Sequence, residues 1–359
     1  MLLDSFSIKG FRGIPQLVIP RLGRATLLIG KNGVGKTTVL EALRVYASRG
    51  GPATLTEILA GHDEYVLPRG RPQDPDRRTV AFESLFNGRP TLSQAATIEL
   101  GPFRAASRTL RLSRVWYREI FDEERGFTRR VIQDPRDDEI LEKALQIRFG
   151  RSSYLRPLDS PRAPSPRIPG FENIGAVFVG ATGIEKERVA TLWDAVALTE
   201  LEDEIINALR MILPNLERIS LVEDAPRSRS AMAKIQGSST PVPLRSLGDG
   251  MNRLLSIALS LVNSQDGILL IDEFENGIFY ETQSELWDFV LKVATRLNIQ
   301  IVATTHSEDC IRAFIAVATQ SPEKGYVVRL EKSNEGTIRA VEYDEDELSV
   351  VSAQRLEIR

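Results

Sequence analysis

The chain has 359 residues, of which 42% are hydrophobic and 26% charged, with a formal net charge of −3. This is an ordinary globular composition, long enough for roughly two domains. No apolar run approaches the roughly 20 residues of a bilayer span, and Met-Leu-Leu-Asp-Ser-Phe at the start is no secretion signal. The single cysteine, Cys310, excludes an intrachain disulfide and a cysteine-based metal cluster, and a cytoplasmic protein fits best.

Two short strands are expected at Leu2–Ile8 and Gln16–Ile19, around a Gly10-Phe11-Arg12-Gly13 turn. Ala25–Ile29 is a short, nearly all-apolar run, as in a buried parallel strand. Directly after it, Gly30-Lys31-Asn32-Gly33-Val34-Gly35-Lys36-Thr37 matches G-x-x-x-x-G-K-[ST] at every fixed position. A helix follows from Lys36 to Tyr46, with Val39, Leu40, Leu43 and Tyr46 on its apolar side. Strand, glycine-rich turn and helix N-terminus together make an anion cradle. The ligand class it selects is the nucleoside triphosphate. Lys36 is placed to reach the β- and γ-phosphates, and the Thr37 hydroxyl, followed by Thr38, to bind Mg²⁺.

Residues 50–90 read as mixed, with a polar, loop-like piece at Pro68–Arg78. Residues 97–131 look β-rich, since Thr97–Leu100 and Leu110–Trp116 nearly alternate apolar and polar residues. The stretch 104–167 holds 15 basic against 10 acidic residues, which fits a surface facing a polyanion or simply a solvated one. Pro157–Pro169 reads as an exposed connector. Glu185–Leu213 looks helical, Ile219–Val222 suggests a strand, and Ser228–Pro243 reads as polar and mobile. An apolar helix at Asn252–Val262 leads to an apolar strand at Gly267–Ile271. A one-faced helix at Glu281–Leu297, a strand at Ile299–Thr304 and a hairpin over Gly325–Tyr343, turning at Ser333–Gly336, complete the pattern. There is no internal repeat and no long heptad run.

Four later features bear on the same site. Ile268-Leu269-Leu270-Ile271-Asp272-Glu273 is an apolar strand ending in two carboxylates: Asp272 beside the Mg²⁺ held by Thr37, and Glu273 placed to polarise water. Ile301–Ser307 is another buried strand, ending in His306, which suits a contact to the γ-phosphate or to the attacking water. Thr305 and Glu308 fit a capping box for the next helix, and His62, the other histidine, reads as a surface residue. Ser246-Leu247-Gly248-Asp249-Gly250-Met251-Asn252-Arg253 enters the apolar helix and offers a second anion site, best used on a partner's nucleotide in a head-to-tail dimer. Phe274-Glu275-Asn276-Gly277 forms a turn suited to the same interface.

In these pieces, together with Ile8–Gly13 and Leu40-Glu41-Ala42, the chain resembles ABC-type ATPases, within them the OLD-like and RecF-like branch of AAA family ATPases. The resemblance frames residues 1–48 and 175–320. It implies an α/β P-loop NTPase of ABC-ATPase type, with a mixed sheet core, a β-rich N-terminal lobe and an inserted region. As domains, it implies one ATPase head over 1–359: an N-lobe at 1–100, an inserted arginine-rich region at 100–175 and a C-lobe at 176–359. By carry-over, Lys36 and Thr37 are the Walker A residues, Asp272 the Walker B ligand, Glu273 the base, Leu247–Met251 the signature loop and His306 the switch histidine. Gly248 stands where that signature usually has serine, and Phe279 where relatives often have histidine. Arg12 is expected near the nucleotide. ATP and Mg²⁺ are the implied ligands.

The implied partners are a second copy, or a higher homo-oligomer, and a separate nuclease-like effector in phage defence or DNA maintenance. The alternative is a RecF-like clamp whose hold on DNA is switched by ATP. Only about 40 residues follow the Cys310 helix, too few for the Toprim domain of OLD nucleases. Asp344-Glu345-Asp346 therefore reads as a polar turn or helix start.

Overall fold

The computed structural model describes residues 2–66, 79–90, 96–122, 126–132, 141–158, 171–225, 228–320 and 325–343. The loop-like piece at 68–78 lies outside them, as do Asp344–Asp346 and, but for two residues at its start, the proline connector.

Apolar runs too short for helices become the central strands. β3 (Ala25–Ile29), β9 (Ala176–Val179), β13 (Ile268–Ile271) and β14 (Gln300–Thr304) join β15 (Gly325–Lys332) and β16 (Ile338–Tyr343) in a six-stranded sheet. Its order is β16-β15-β3-β14-β13-β9, parallel throughout except for β16, which returns antiparallel to β15. Both faces are covered, so both sets of alternating side chains are apolar. Leu27, Leu269, Ile271 and Ile301 face a core that includes α5 (Asp249–Val262), α6 (Tyr280–Arg296) and α7 (Glu308–Ala318). Leu28, Leu270 and Val302 face the other core, which includes α1 (Lys36–Ala47) and α2 (Pro52–Ala60).

That second core is closed by an antiparallel sheet. β1 (Phe6–Phe11), β2 (Ile14–Ile19), β4 (Thr97–Gly101), β5 (Leu110–Asp122), β7 (Glu142–Phe149) and β8 (Ser152–Pro157) run in the order β2-β1-β4-β5-β7-β8, and β6 (Gly126–Ile132) pairs with β5. The arginine-rich stretch expected at 100–175 thus supplies β5–β8, which hydrogen-bond into the sheet that β1, β2 and β4 begin. Helix α1 lies between the two sheets and is buried on nearly every side. Its Tyr46 meets Phe6 edge-on at 5.7 Å.

Three expectations are corrected. Glu185–Leu213 is not one helix but two, α3 (Lys186–Asp194) and α4 (Glu200–Arg210). Between them Leu198 takes a left-handed φ of 64°, and the Thr199 hydroxyl caps α4 by accepting from the Leu201 N–H. Ser228–Pro243 is not a mobile segment: β11 (Ser228–Ile235) and β12 (Val242–Pro243) pair with β10 (Leu216–Ala225) in a third sheet. The cap of α7 is Ser307, whose hydroxyl accepts from the Cys310 N–H, rather than Thr305. Among the described residues no helix is long and apolar enough to cross a membrane.

Candidate nucleotide site at the carboxyl end of the parallel sheet

The phosphate loop Gly30–Thr37 runs from the end of β3 into α1. Gly30 has φ 139°, and a Cβ there would stand 2.5 Å from the Leu330 carbonyl, so only glycine lets the loop leave the sheet at this point. Gly35, also left-handed, stands at the N-cap of α1. Lys31, Asn32 and Gly33 are exposed at the loop's crest, Val34 is buried beneath it, and Thr38 is half-buried. The Lys36 ammonium is buried and donates to the Gly30 carbonyl at 2.7 Å and the Lys31 carbonyl at 3.3 Å, tying the loop across its base. Burial pulls its pKa below the usual lysine value, opposed by the charges of Asp272, Glu275 and Glu273.

Asp272 joins three elements. Its Oδ2 accepts from the Thr37 hydroxyl at 2.9 Å, and its Oδ1 accepts from the Thr304 hydroxyl at 2.6 Å. Thr304 ends β14, the strand between β3 and β13, and binds the carboxylate oxygen that Thr37 does not. The Thr304 hydroxyl in turn accepts from the Glu273 N–H at 2.8 Å. Glu273 has a left-handed φ of 48°, a costly backbone state for a side-chain-bearing residue and one that collects at functional sites.

The turn after β13 supports this strained residue. Phe274 stacks on Trp287 of α6 with centroids 3.7 Å apart, and Asn276 donates to Glu273 Oε2 at 2.6 Å and to the Ala181 carbonyl at 3.3 Å. Glu275, buried, accepts at Oε1 from the His306 backbone N–H, and the same oxygen lies 3.0 Å from the His306 Nδ1. His306 itself is well exposed at the end of β14.

Gly248 precedes α5 with φ 104°, and Asp249 opens the helix. Ser246 donates its hydroxyl to the Pro243 carbonyl, Leu247 ends a short 3₁₀ turn, and Met251 is buried. A Cβ on Gly250 would stand 2.6 Å from the Gly277 carbonyl, so the two glycine turns pack backbone to backbone within this chain. One turn further, the buried Arg253 donates to the carbonyls of Gly180, Ala181, Asp272 and Glu273. Burial lowers its pKa to about 10, opposed by Glu275, Asp272 and Glu273. It therefore fastens α5 to the carboxylate end of β13.

Arg12 lies against α1, its Nε 3.2 Å from Glu41 Oε2. His62, expected at the surface, is exposed there and has Nε2 2.5 Å from the same carboxylate. Sequence reading placed Thr304, Glu275, Asn276 and Arg253 within segments of the site but gave none of them a contact of its own. An arginine inside an otherwise apolar helix was the one visible signal among them.

The oxygens of Thr37 and Asp272 are hard donors suited to Mg²⁺. Among the described residues no group of three or more His, Cys, Asp or Glu side chains is placed to cage a metal.

The description "AAA ATPase domain" matches residues 1–59 and 190–311, which together make up half of the chain. The chain belongs to that family. It is 21% identical over 339 residues to an "ATP/GTP phosphatase" of Helicobacter pylori, covering 86% of each protein. It is 38% identical over 70 residues to the uncharacterized protein MJECL10 of Methanocaldococcus jannaschii, of which it spans only 31%. Its fold is that of a crystallised SmcHead bound to the C-winged helix domain of ScpA, with a TM-score of 0.51 at 13% identity over 99% of this chain and 100% of that one. The chain is thus an AAA-family ATPase domain, with a mixed α/β fold built on several sheets and shared with that SMC head.

Proposed function

We propose that this domain binds ATP with Mg²⁺, hydrolyses it at a site shared between two copies, and uses the cycle to regulate a separate effector. The observation that carries the reading is the string Thr37–Asp272–Thr304–Glu273, in which the phosphate loop meets the Asp272 carboxylate directly and Thr304 ties that carboxylate to the Glu273 backbone N–H. In this reading Gly30 to Thr38 wrap the phosphates and Lys36 neutralises the terminal ones. Thr37 and Asp272 hold Mg²⁺, which when bound draws charge from the phosphate oxygens. Glu273 takes the proton of the attacking water, which adds to the γ-phosphorus as the β–γ bridging P–O bond breaks, leaving ADP and phosphate. His306 positions the γ-phosphate or the water.

Ser246 to Met251 would face the γ-phosphate of a second copy's ATP, making a head-to-tail dimer the active form. The ATPase head would run over 1–359, with an N-lobe at 1–100, an arginine-rich region at 100–175 and a C-lobe at 176–359. The likeness to an SMC head crystallised with a winged-helix domain supports a separate protein partner. The OLD-like motifs suit a nuclease-like effector in phage defence or DNA maintenance, in the cytoplasm. Glu273→Gln tests the core of this reading: it is expected to bind ATP, fail to turn it over and accumulate as a dimer by light scattering. An unchanged hydrolysis rate defeats it.

The RecF-like DNA clamp has one observation of its own. Arg118 and Arg130 stand directly opposite each other on β5 and β6, both exposed, with no acidic partner among the described residues. Like charges so placed are destabilising unless an anion joins them. Salt-dependent DNA binding in the presence of ATP supports that reading, and no binding with ATP present sinks it.

A further inference from the structure

We propose that Glu275 is a positioning residue for His306: its carboxylate faces Nδ1, keeps the ring proton on that nitrogen, and leaves Nε2 as the ring nitrogen available to phosphate or water. An ionised carboxylate only accepts hydrogen bonds. A single oxygen, Oε1, receives the His306 backbone N–H at 2.9 Å and stands 3.0 Å from Nδ1. The backbone hydrogen bond fixes the start of the side chain, and the 3.0 Å approach of Nδ1 brings the ring against the same oxygen. That approach also chooses the tautomer, because the nitrogen facing the carboxylate must carry the proton.

The carboxylate is held as firmly as it holds. Glu275 is 8% exposed, and its Oε2 is buried with no hydrogen-bond partner among the described residues. The preceding Phe274 is stacked on Trp287, and the Glu275 carbonyl accepts from the Ile278 N–H at 2.9 Å. No solvent-exposed rotamer is needed to explain the placement: the acid is built into the turn and the histidine hangs from it. The neighbouring Asn276 holds Glu273 in the same way, so one four-residue turn aims two of the reacting groups.

The chain's two histidines make the tautomer directly readable by ¹⁵N NMR of histidine-labelled protein at alkaline pH. His62 meets Glu41 through Nε2, so the two rings are expected to show opposite tautomers, and His62→Ala assigns them. His306 is expected to carry its proton on Nδ1 in the wild type and in Glu275→Gln, whose carbonyl still accepts, and to lose that preference in Glu275→Ala. The kinetic arm rests on the ATPase reading. Glu275→Ala should lower kcat about tenfold with little change in KM, Glu275→Gln should recover most of it, and Glu275→Ala combined with His306→Ala should be no slower than His306→Ala alone.

His306 protonated at Nε2 in the wild type overturns the proposal, as do kinetic losses that multiply in the double variant. If Glu275→Ala does not fold, the wild-type tautomer and Glu275→Gln decide. A wild-type chain with the expected tautomer that hydrolyses no ATP upholds the contact and defeats the ATPase reading alone.

Discussion

The Thr37 hydroxyl donates to Asp272 Oδ2 at 2.9 Å, joining the phosphate loop to a strand 235 residues away. If these two oxygens hold Mg²⁺, Asp272→Asn and Thr37→Val should each remove the metal-dependent part of nucleotide affinity. Titration calorimetry with and without Mg²⁺ should show at least about tenfold tightening in the wild type and little in either variant. Equal tightening in all three proteins would remove Thr37 and Asp272 as ligands.

Asn276 reaches Glu273 Oε2 at 2.6 Å, so Asn276→Ala frees the Glu273 carboxylate to rotate. The expected result is a fall of about tenfold in kcat with KM for ATP nearly unchanged, the mark of lost orientation rather than lost binding. A rise in KM alone would mean that the contact serves binding.

Arg253 gives its guanidinium protons to four main-chain carbonyls in a buried setting. Arg253→Lys keeps the charge but loses the fork, and should destabilise the fold by about 2–4 kcal/mol in urea unfolding, since carbonyls are left buried without donors. A change below about 0.5 kcal/mol would show that the helix is held by apolar packing alone.

Gly250→Ala drives a methyl group to within 2.6 Å of the Gly277 carbonyl, a backbone atom with little room to yield. The two turns must part, and hydrolysis should fall more than stability does. Retention of full hydrolysis would show that their close approach is dispensable.

Burial pushes the Cys310 thiol up to about 12 from an ordinary value near 9. The native thiol should therefore resist Ellman's reagent and react fully in denaturant. The folded state binds more protons than the unfolded one above pH 9, so the thiol's contribution to stability is complete below pH 9 and is lost as pH rises toward 12. Rapid native labelling at pH 8 would show that the α7 end opens easily.

Much of this was legible because short-range chemistry dictated it. The loop at Gly30–Thr37 and the strands at Ala25–Ile29 and Ile268–Ile271 each carry their own local signal, and the structure has all of these strands. Residues whose roles come from tertiary contacts carried none. Thr304 looks like any polar strand end until β14 is seen to lie between β3 and β13. Asn276 and Glu275 look like turn residues until their side chains are traced to Glu273 and His306. The pairing of Ser228–Ile235 with β10 was hidden by polar residues on a sheet with little buried face.

The interleaving of β3, β14 and β13 also has a consequence for folding. The site draws on residues near 37, 272 and 304, and closing such long loops is slow compared with forming local helices. A nascent chain that has emerged only as far as residue 250 carries the loop sequence but lacks both strands that flank β3 and the carboxylate that faces the loop. Nucleotide capture is thus tied to completion of the parallel sheet, which gives the cell a ligand that stabilises finished molecules over partial ones.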